Sequence, residues 1–231
     1  MTSETTAAEQ HDPGARGLRL VPALLVMTVV SGLIDAVSYL GLGHVFTANM
    51  TGNVVVLGFA AAGAPGFSTR HSLVSLGAFL AGAVAGGRAG RRYGGGSRRA
   101  WARMTLAVEA VLLGAASAVA FAVPGTTGTA YALITLTAFA MGVRNATVRK
   151  LGVTDLTTTT VLTTTLAGLA SDSRIAGGSG KRTPRRAASV LALLAGAVLG
   201  GWLVVHHGLA LPLLVAALTT GVLAVTASGR E

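Results

Sequence analysis

Charged residues are all but absent from the long stretches of this chain and crowd into the short segments between them. Apolar runs recur at about 20–42, 71–87, 102–123, 129–148, 187–206 and 208–227. About 20 apolar residues wound as a helix reach ~30 Å, the thickness of a bilayer's hydrocarbon core. Six such runs within 231 residues leave room for little besides helices and their connections. Composition agrees: hydrophobic residues make up 52% and charged ones 11%, with a mean hydropathy of +0.66. A soluble domain carries roughly 25% charged residues, so a soluble globular enzyme is excluded. With no cysteine, a disulfide-stapled module, a Cys-ligated metal centre and a thiol redox protein are excluded too. The expected fold class is an all-α integral membrane domain.

The formal charge of +10 raises nucleic acid as a partner, and the placement of the charge rejects it. Arg88, Arg91, Arg92, Arg98, Arg99 and Arg103 lie in a Gly-rich link between two apolar runs, with no readable polar groups beside them. Such a link suits a cytoplasmic loop obeying the positive-inside rule. The partner this implies is the lipid bilayer. Residues 1–17 begin polar and mildly acidic, without periodicity, and are expected to be a disordered tail. The first apolar run resembles a signal peptide, but its length and the runs that follow favour a retained span. Residues 18–228 then form a single membrane domain.

That domain carries an internal duplication. Residues 78–87 (AFLAGAVAGG) match 192–201 (ALLAGAVLGG) at eight of ten positions, an offset of 114. Gly32-Leu33-Ile34-Asp35-Ala36 matches Gly142-Val143-Arg144-Asn145-Ala146 at offset 110, and Phe46-Thr47 and Met50-Thr51 match Thr158-Thr159 and Leu162-Thr163 at 112. Three blocks in one order at drifting offsets define repeats of about 18–123 and 127–228. Two apolar segments, 47–62 and 156–170, are too short to span comfortably, reaching only ~22–24 Å. If both crossed, the 18 basic residues would divide nine to nine across the membrane. If neither crosses, 17 lie inside and only Arg70 outside. The positive-inside rule selects the second arrangement: six transmembrane helices as two inverted three-helix repeats, with both termini cytoplasmic. Tyr39, Trp101, Tyr131 and Trp202 fall near the ends of runs, as interfacial aromatics do.

Each short segment is expected to be a re-entrant half-helix, since irregular backbone at membrane depth must be surrounded by protein or a watery cavity. Thr51 and Asn53 suit the first half-helix as capping residues. Opposed helix N-termini near the midplane would favour an anionic or polar solute. The plainer reading is that Thr and Asn only satisfy backbone and join helices. Asp35, ~22 Å along the first span, is either a proton carrier or solute ligand, or a structural tie for the broken chain. Its counterpart Asn145 hydrogen-bonds without titrating. The candidate solute site comprises Asp35, Asn49, Thr51, Asn53, Asn145, Thr158, Thr159, Thr163 and Thr164. Glu109 is expected to pair with Arg103 or a loop arginine, and Arg144, Arg149 and Lys150 to snorkel to the cytoplasmic face. Gly82, Gly86, Gly90, Gly196 and Gly200 form small-xxx-small ladders that pack the repeats together or make a homodimer face. His206 and His207 have no carboxylate near them in sequence, and are expected to be loop histidines; no metal or cofactor is expected.

The runs GLIDAVSYLGLGHVFTANMTGNVVVLGFA (32–60) and GVRNATVRKLGVTDLTTTTVLTTTLAGLA (142–170) resemble the YoaK family of bacterial multi-pass membrane proteins, a family of unknown function. The likeness covers nearly all of the chain after residue 17. The second run has Thr163-Thr164-Thr165 where the family pattern has Thr-Gly-Thr. This resemblance implies a bacterial cytoplasmic-membrane protein and carries over no reaction. The function expected from the residues is a small-solute transporter, for an anion or coupled to protons, with a polar site at the midplane. The alternative is a non-transporting scaffold or regulatory protein. An enzyme is not expected, because no Ser/His pair, metal cluster or nucleotide loop appears.

Overall fold

The computed structural model describes residues 20–93, 97–151, 162–178 and 183–226. Eight α-helices are found there: α1 (Leu20–Gly41), α2 (Met50–Ala61), α3 (Thr69–Tyr93), α4 (Arg98–Ala122), α5 (Thr127–Leu151), α6 (Leu162–Ser171), α7 (Thr183–His207) and α8 (Ala210–Thr226). No strand occurs among the described residues. Among the described residues, four helices are long and apolar enough to cross a membrane: Pro22–Gly41, Thr69–Tyr93, Arg99–Ala122 and Thr183–His207. Each of the six long runs and the two short ones read from the sequence overlaps one helix. The short helices α2 and α6, of 12 and 10 residues, extend only ~18 and ~15 Å.

Packing follows spacing. On α4 the buried residues Trp101, Thr105, Glu109, Leu113, Ala116 and Ala120 recur at steps of four and three, the period of one helix face. That face meets α5 and α8. The core joins Val30, Leu33, Ile34 and Val37 of α1 to Leu113 of α4, Leu133, Ile134 and Met141 of α5 and Leu213 of α8. Large apolar side chains on the outside, such as Leu80, Val111, Leu194, Val198 and Val205, face the place lipid would occupy. Trp101, at the start of α4, is 5% exposed and covered by protein. It packs inward because its position continues the buried α4 stripe.

Glycines set how closely the helices approach. A Cβ at Gly82 or Gly142 would meet the backbone of the facing helix at Phe139 O and Phe79 O respectively, so α3 and α5 touch main chain to main chain. A Cβ at Gly196 or Gly32 would meet Val29 O and Leu193 O, and does the same for α7 and α1. Gly86 and Gly200 continue the two contacts against Val143 and Leu33. Each contact on one pair of helices recurs on the other at the offsets of 110 and 114 read from the sequence blocks. These ladders are therefore spent inside the chain, helix against helix.

The helix ends gather into two groups. At one end of the bundle, the His71 and Tyr131 rings lie 4.9 Å apart, Leu209 packs on Gly41, and Ser117 Oγ donates to Ala210 O at 2.9 Å. At the other end, Gly90 lies against Lys150 and Trp101. Thr105 and Thr147 hydroxyls share a hydrogen bond of 3.0 Å there. Arg103 and Ala224 line a common groove.

Candidate functional site

Beyond α1 the chain turns back on itself. Gly43 (φ 81°) and His44 (φ 57°) occupy the left-handed region, which a glycine enters freely and an L-residue rarely does. Val45, Thr47 and Ala48 are then buried, and their backbone needs partners inside the protein. Asp35 supplies them. Its Oδ1 accepts from Ala48 N at 3.3 Å, and the Asn49 N–H also points to the carboxylate. Asn53, fully buried on α2, holds the same loop from the other side. Its Oδ1 accepts from Phe46 N and its Nδ2 donates to Ser72 O, each at 3.4 Å. Ser75 Oγ donates to Phe46 O at 2.6 Å. Two buried hydroxyls beside them, Thr47 Oγ1 and Ser72 Oγ, have no hydrogen-bond partner.

The sequence expectation for the α2 cap needs correcting. Asn49 is the N-cap, its Oδ1 accepting from Gly52 N at 3.2 Å. Thr51 points outward and is exposed. Capping requires the side chain to precede the first turn, and the helix starts at Met50. Asn49→Ala should therefore lower stability by about 1 kcal/mol, while Thr51→Leu should leave unfolding in detergent unchanged. A larger loss at Thr51 would contradict this cap.

Asp35, Asn49 and Asn53 are thus brought together around one loop. Asn145 lies on α5, where its Nδ2 donates to Met141 O at 2.8 Å. On α6, Thr163 and Thr164 are exposed, and the buried threonine is Thr165, which stands 112 residues from Asn53. Thr158 and Thr159 lie outside the described residues. Arg186 of α7 ties α6 down, donating from Nη1 to Gly168 O at 2.5 Å and to Asp172 Oδ2 at 2.6 Å. Asn53 ties α2 to α3 in the same way. His206 and His207 end α7, with the His206 ring stacked on Trp202 at 4.9 Å. No group of three metal-ligating side chains occurs among the described residues.

A second polar cluster went unrecognised in the sequence. Arg144 does not snorkel, and Glu109 does not pair with Arg103. Arg144 Nη2 lies 3.0 Å from Glu109 Oε1, with the two side chains 3% and 0% exposed. The guanidinium also donates from Nη1 to Met27 O at 2.9 Å and Ser31 Oγ at 3.1 Å. Its Nη2 lies 2.9 Å from Met141 Sδ. Arg144 so joins α5 to α1 and α4. Neither Glu109 oxygen receives a hydrogen bond, and Arg144 Nε makes none: the contact is an ion pair without a directed hydrogen bond. The duplication held a signal for this. Arg144 aligns with Ile34, a fully buried residue, so its position faces inward.

Together the two clusters form a line of buried or half-buried polar groups. Glu109 and Arg144 stand at one end. Ser31 and Asp35 follow four residues apart on α1, hence on one face. Thr47 of the loop before α2, Asn53 of α2 and Ser72 of α3 close the line. Charges this deep in an apolar bundle are costly and usually serve a pathway, a ligand or a specific tie.

Comparison with known proteins agrees with the membrane reading. The chain is 35% identical over 155 residues to the UPF0700 transmembrane protein YoaK of Bacillus subtilis (strain 168), a match covering 64% of this chain and 65% of that protein. No solved structure matches. The sequence profile of the family described as "Protein of unknown function (DUF1275)" matches residues 23–226. A multi-pass helical membrane protein with this match and this relative belongs to the DUF1275 family, with YoaK.

Proposed function

We propose that this protein is a small-solute transporter of the bacterial cytoplasmic membrane, built from two inverted three-helix repeats that make six crossings. The observation that carries the reading is the buried polar line from Glu109–Arg144 through Ser31 and Asp35 to the α2 loop. A purely mechanical bundle can satisfy its backbone without an arginine, a glutamate and an aspartate in its interior. Cargo passing between the repeats would meet these groups, in the manner of midplane sites where broken helices face a pathway. A scaffold remains the second reading. It is favoured by one observation, that Asp35 and Asn53 already spend their hydrogen bonds on loop backbone.

Three features support the topology. α1 ends where α3 begins: Asn53 reaches Ser72, and His44 Nδ1 lies 3.0 Å from Gly66 O, which supports a re-entrant α2. Helix contacts on α1 and α7 recur on α5 and α3 at the duplication offsets. An odd number of crossings per repeat inverts the second copy, and it leaves 17 of 18 basic residues on one side.

Single cysteines at Ser97 and Thr126 test the topology. An impermeant thiol reagent should label Ser97→Cys only from the cytoplasm and Thr126→Cys only from outside. The reverse pattern would overturn this orientation, because it would put the arginines between α3 and α4 outside. Transport itself is tested by uptake across a panel of small solutes in a deletion strain. Wild type should restore uptake of a solute that Asp35→Asn, at equal membrane abundance, does not; no difference between deletion and wild type would favour the scaffold.

A further inference from the structure

We propose that Arg144 is a binding site for a small monovalent anion, and that Glu109 is the resident counter-ion that such an anion displaces. The inference deepens the transport reading by naming the class of solute. It rests on an asymmetry between the two partners of the pair. Arg144 is held without Glu109: Met27 O and Ser31 Oγ take Nη1, and Met141 Sδ lies against Nη2. Glu109 is fully buried, yet neither of its oxygens receives a hydrogen bond, and among the described residues Arg144 is its only charged neighbour. A carboxylate that gives up hydration needs two or three donors to be well held. This one touches a single Nη. Once its carboxyl swings away from the pair, the guanidinium stays in place with a full charge, an unused Nε–H and the vacated volume of a carboxyl group beside it.

Charge balance fixes how the exchange runs. An anion entering beside Glu109 as a carboxylate would place two negative charges on one guanidinium in a low-dielectric interior. Glu109 must leave the pair as the neutral acid, so one proton enters with each anion. No new bond forms except the O–H of Glu109. The charged groups acting on the pair are few. Among the described residues, Asp35 on α1 is the one other acid that senses Arg144. α8, packed on α4, has no titratable side chain. Met141 and Asn145 flank Arg144 on α5 without titrating. Formate, acetate, nitrate and chloride have the size and charge to replace one side-chain carboxylate; a dianion or a large organic acid has not.

The test uses the full chain in detergent, with these four sodium salts as probes and unfolding temperature as the reading. Glu109→Gln supplies the neutral form permanently. It should gain saturable stabilisation from at least one probe at pH 7.5, with an apparent Kd at least tenfold below that of wild type at the same pH. Wild type should move toward the variant's affinity at pH 5. The double variant Glu109→Gln/Arg144→Gln should show only the general salt response. Absence of saturable stabilisation in Glu109→Gln overturns the site. If that variant does not fold, wild type decides: affinity that does not rise between pH 7.5 and pH 5 overturns it equally. Proteoliposome uptake separates this inference from transport. Binding without flux retains the anion site and removes transport, whereas flux of a neutral solute without anion binding retains transport and overturns the site.

Discussion

Arg144→Met is expected to destabilise the protein by about 3–5 kcal/mol, the cost of leaving a buried charge without its partner. Glu109 is fully buried, and its only charged neighbour among the described residues is Arg144. After the substitution the carboxylate must take up a proton or draw in water. The variant also strips Met27 O and Ser31 Oγ of a donor, so α1 loosens from α5. Glu109→Met alone should cost a similar amount, since it leaves the guanidinium unneutralised. The double variant Glu109→Met/Arg144→Met removes both charges and refills the space with apolar atoms, and buried pairs replaced in this way often cost little. A double-mutant cycle in detergent unfolding reads the coupling directly. Additive losses would mean that the two side chains do not act as a pair.

This pair also marks where sequence reading stopped. Helix positions were legible because an apolar run of about 20 residues has few other fates, and α1, α3, α4 and α7 fall where the runs predict. The α2 loop was partly legible: Asp35, Asn49 and Asn53 stand out as polar residues in apolar surroundings, and they do converge. Which of them caps the helix was not, because the cap depends on whether the helix starts at Met50 or two residues later. Arg144 misled because a long cationic side chain near a helix end usually snorkels, while here Met27 O, Ser31 Oγ and Glu109 hold it inward. The sequence separation of Glu109 and Arg144, 35 residues on two helices, hides their contact from any local spacing rule. Only the alignment of Arg144 with buried Ile34 pointed there.

Close helix approach gives the other large effect. A Cβ at Gly196 would fall on the main chain of α1 at Val29 O, and one at Gly82 on α5 at Phe139 O. Backbone cannot rotate out of the way, so the helices must separate along the whole contact. Overpacking of this kind costs about 1–3 kcal/mol for a methyl group and more for a larger side chain. Gly82→Leu and Gly196→Leu should each lower membrane abundance severely. Gly77→Ala and Gly87→Ala on the same helix as Gly82 meet nothing within 4 Å. They should be neutral or stabilising by about 0.5–1 kcal/mol, the ordinary helix preference of Ala over Gly. The duplication sharpens the expectation, because Gly82 and Gly196 make matched contacts on separate helix pairs. Gly82→Ala and Gly196→Ala should therefore cost nearly the same, and their costs should add. Gly32→Ala and Gly196→Ala lie on one contact between α1 and α7. Once either has pushed those helices apart, the second should cost much less than it does alone. Additive costs within that contact would mean that the two glycines do not share one approach of α1 to α7.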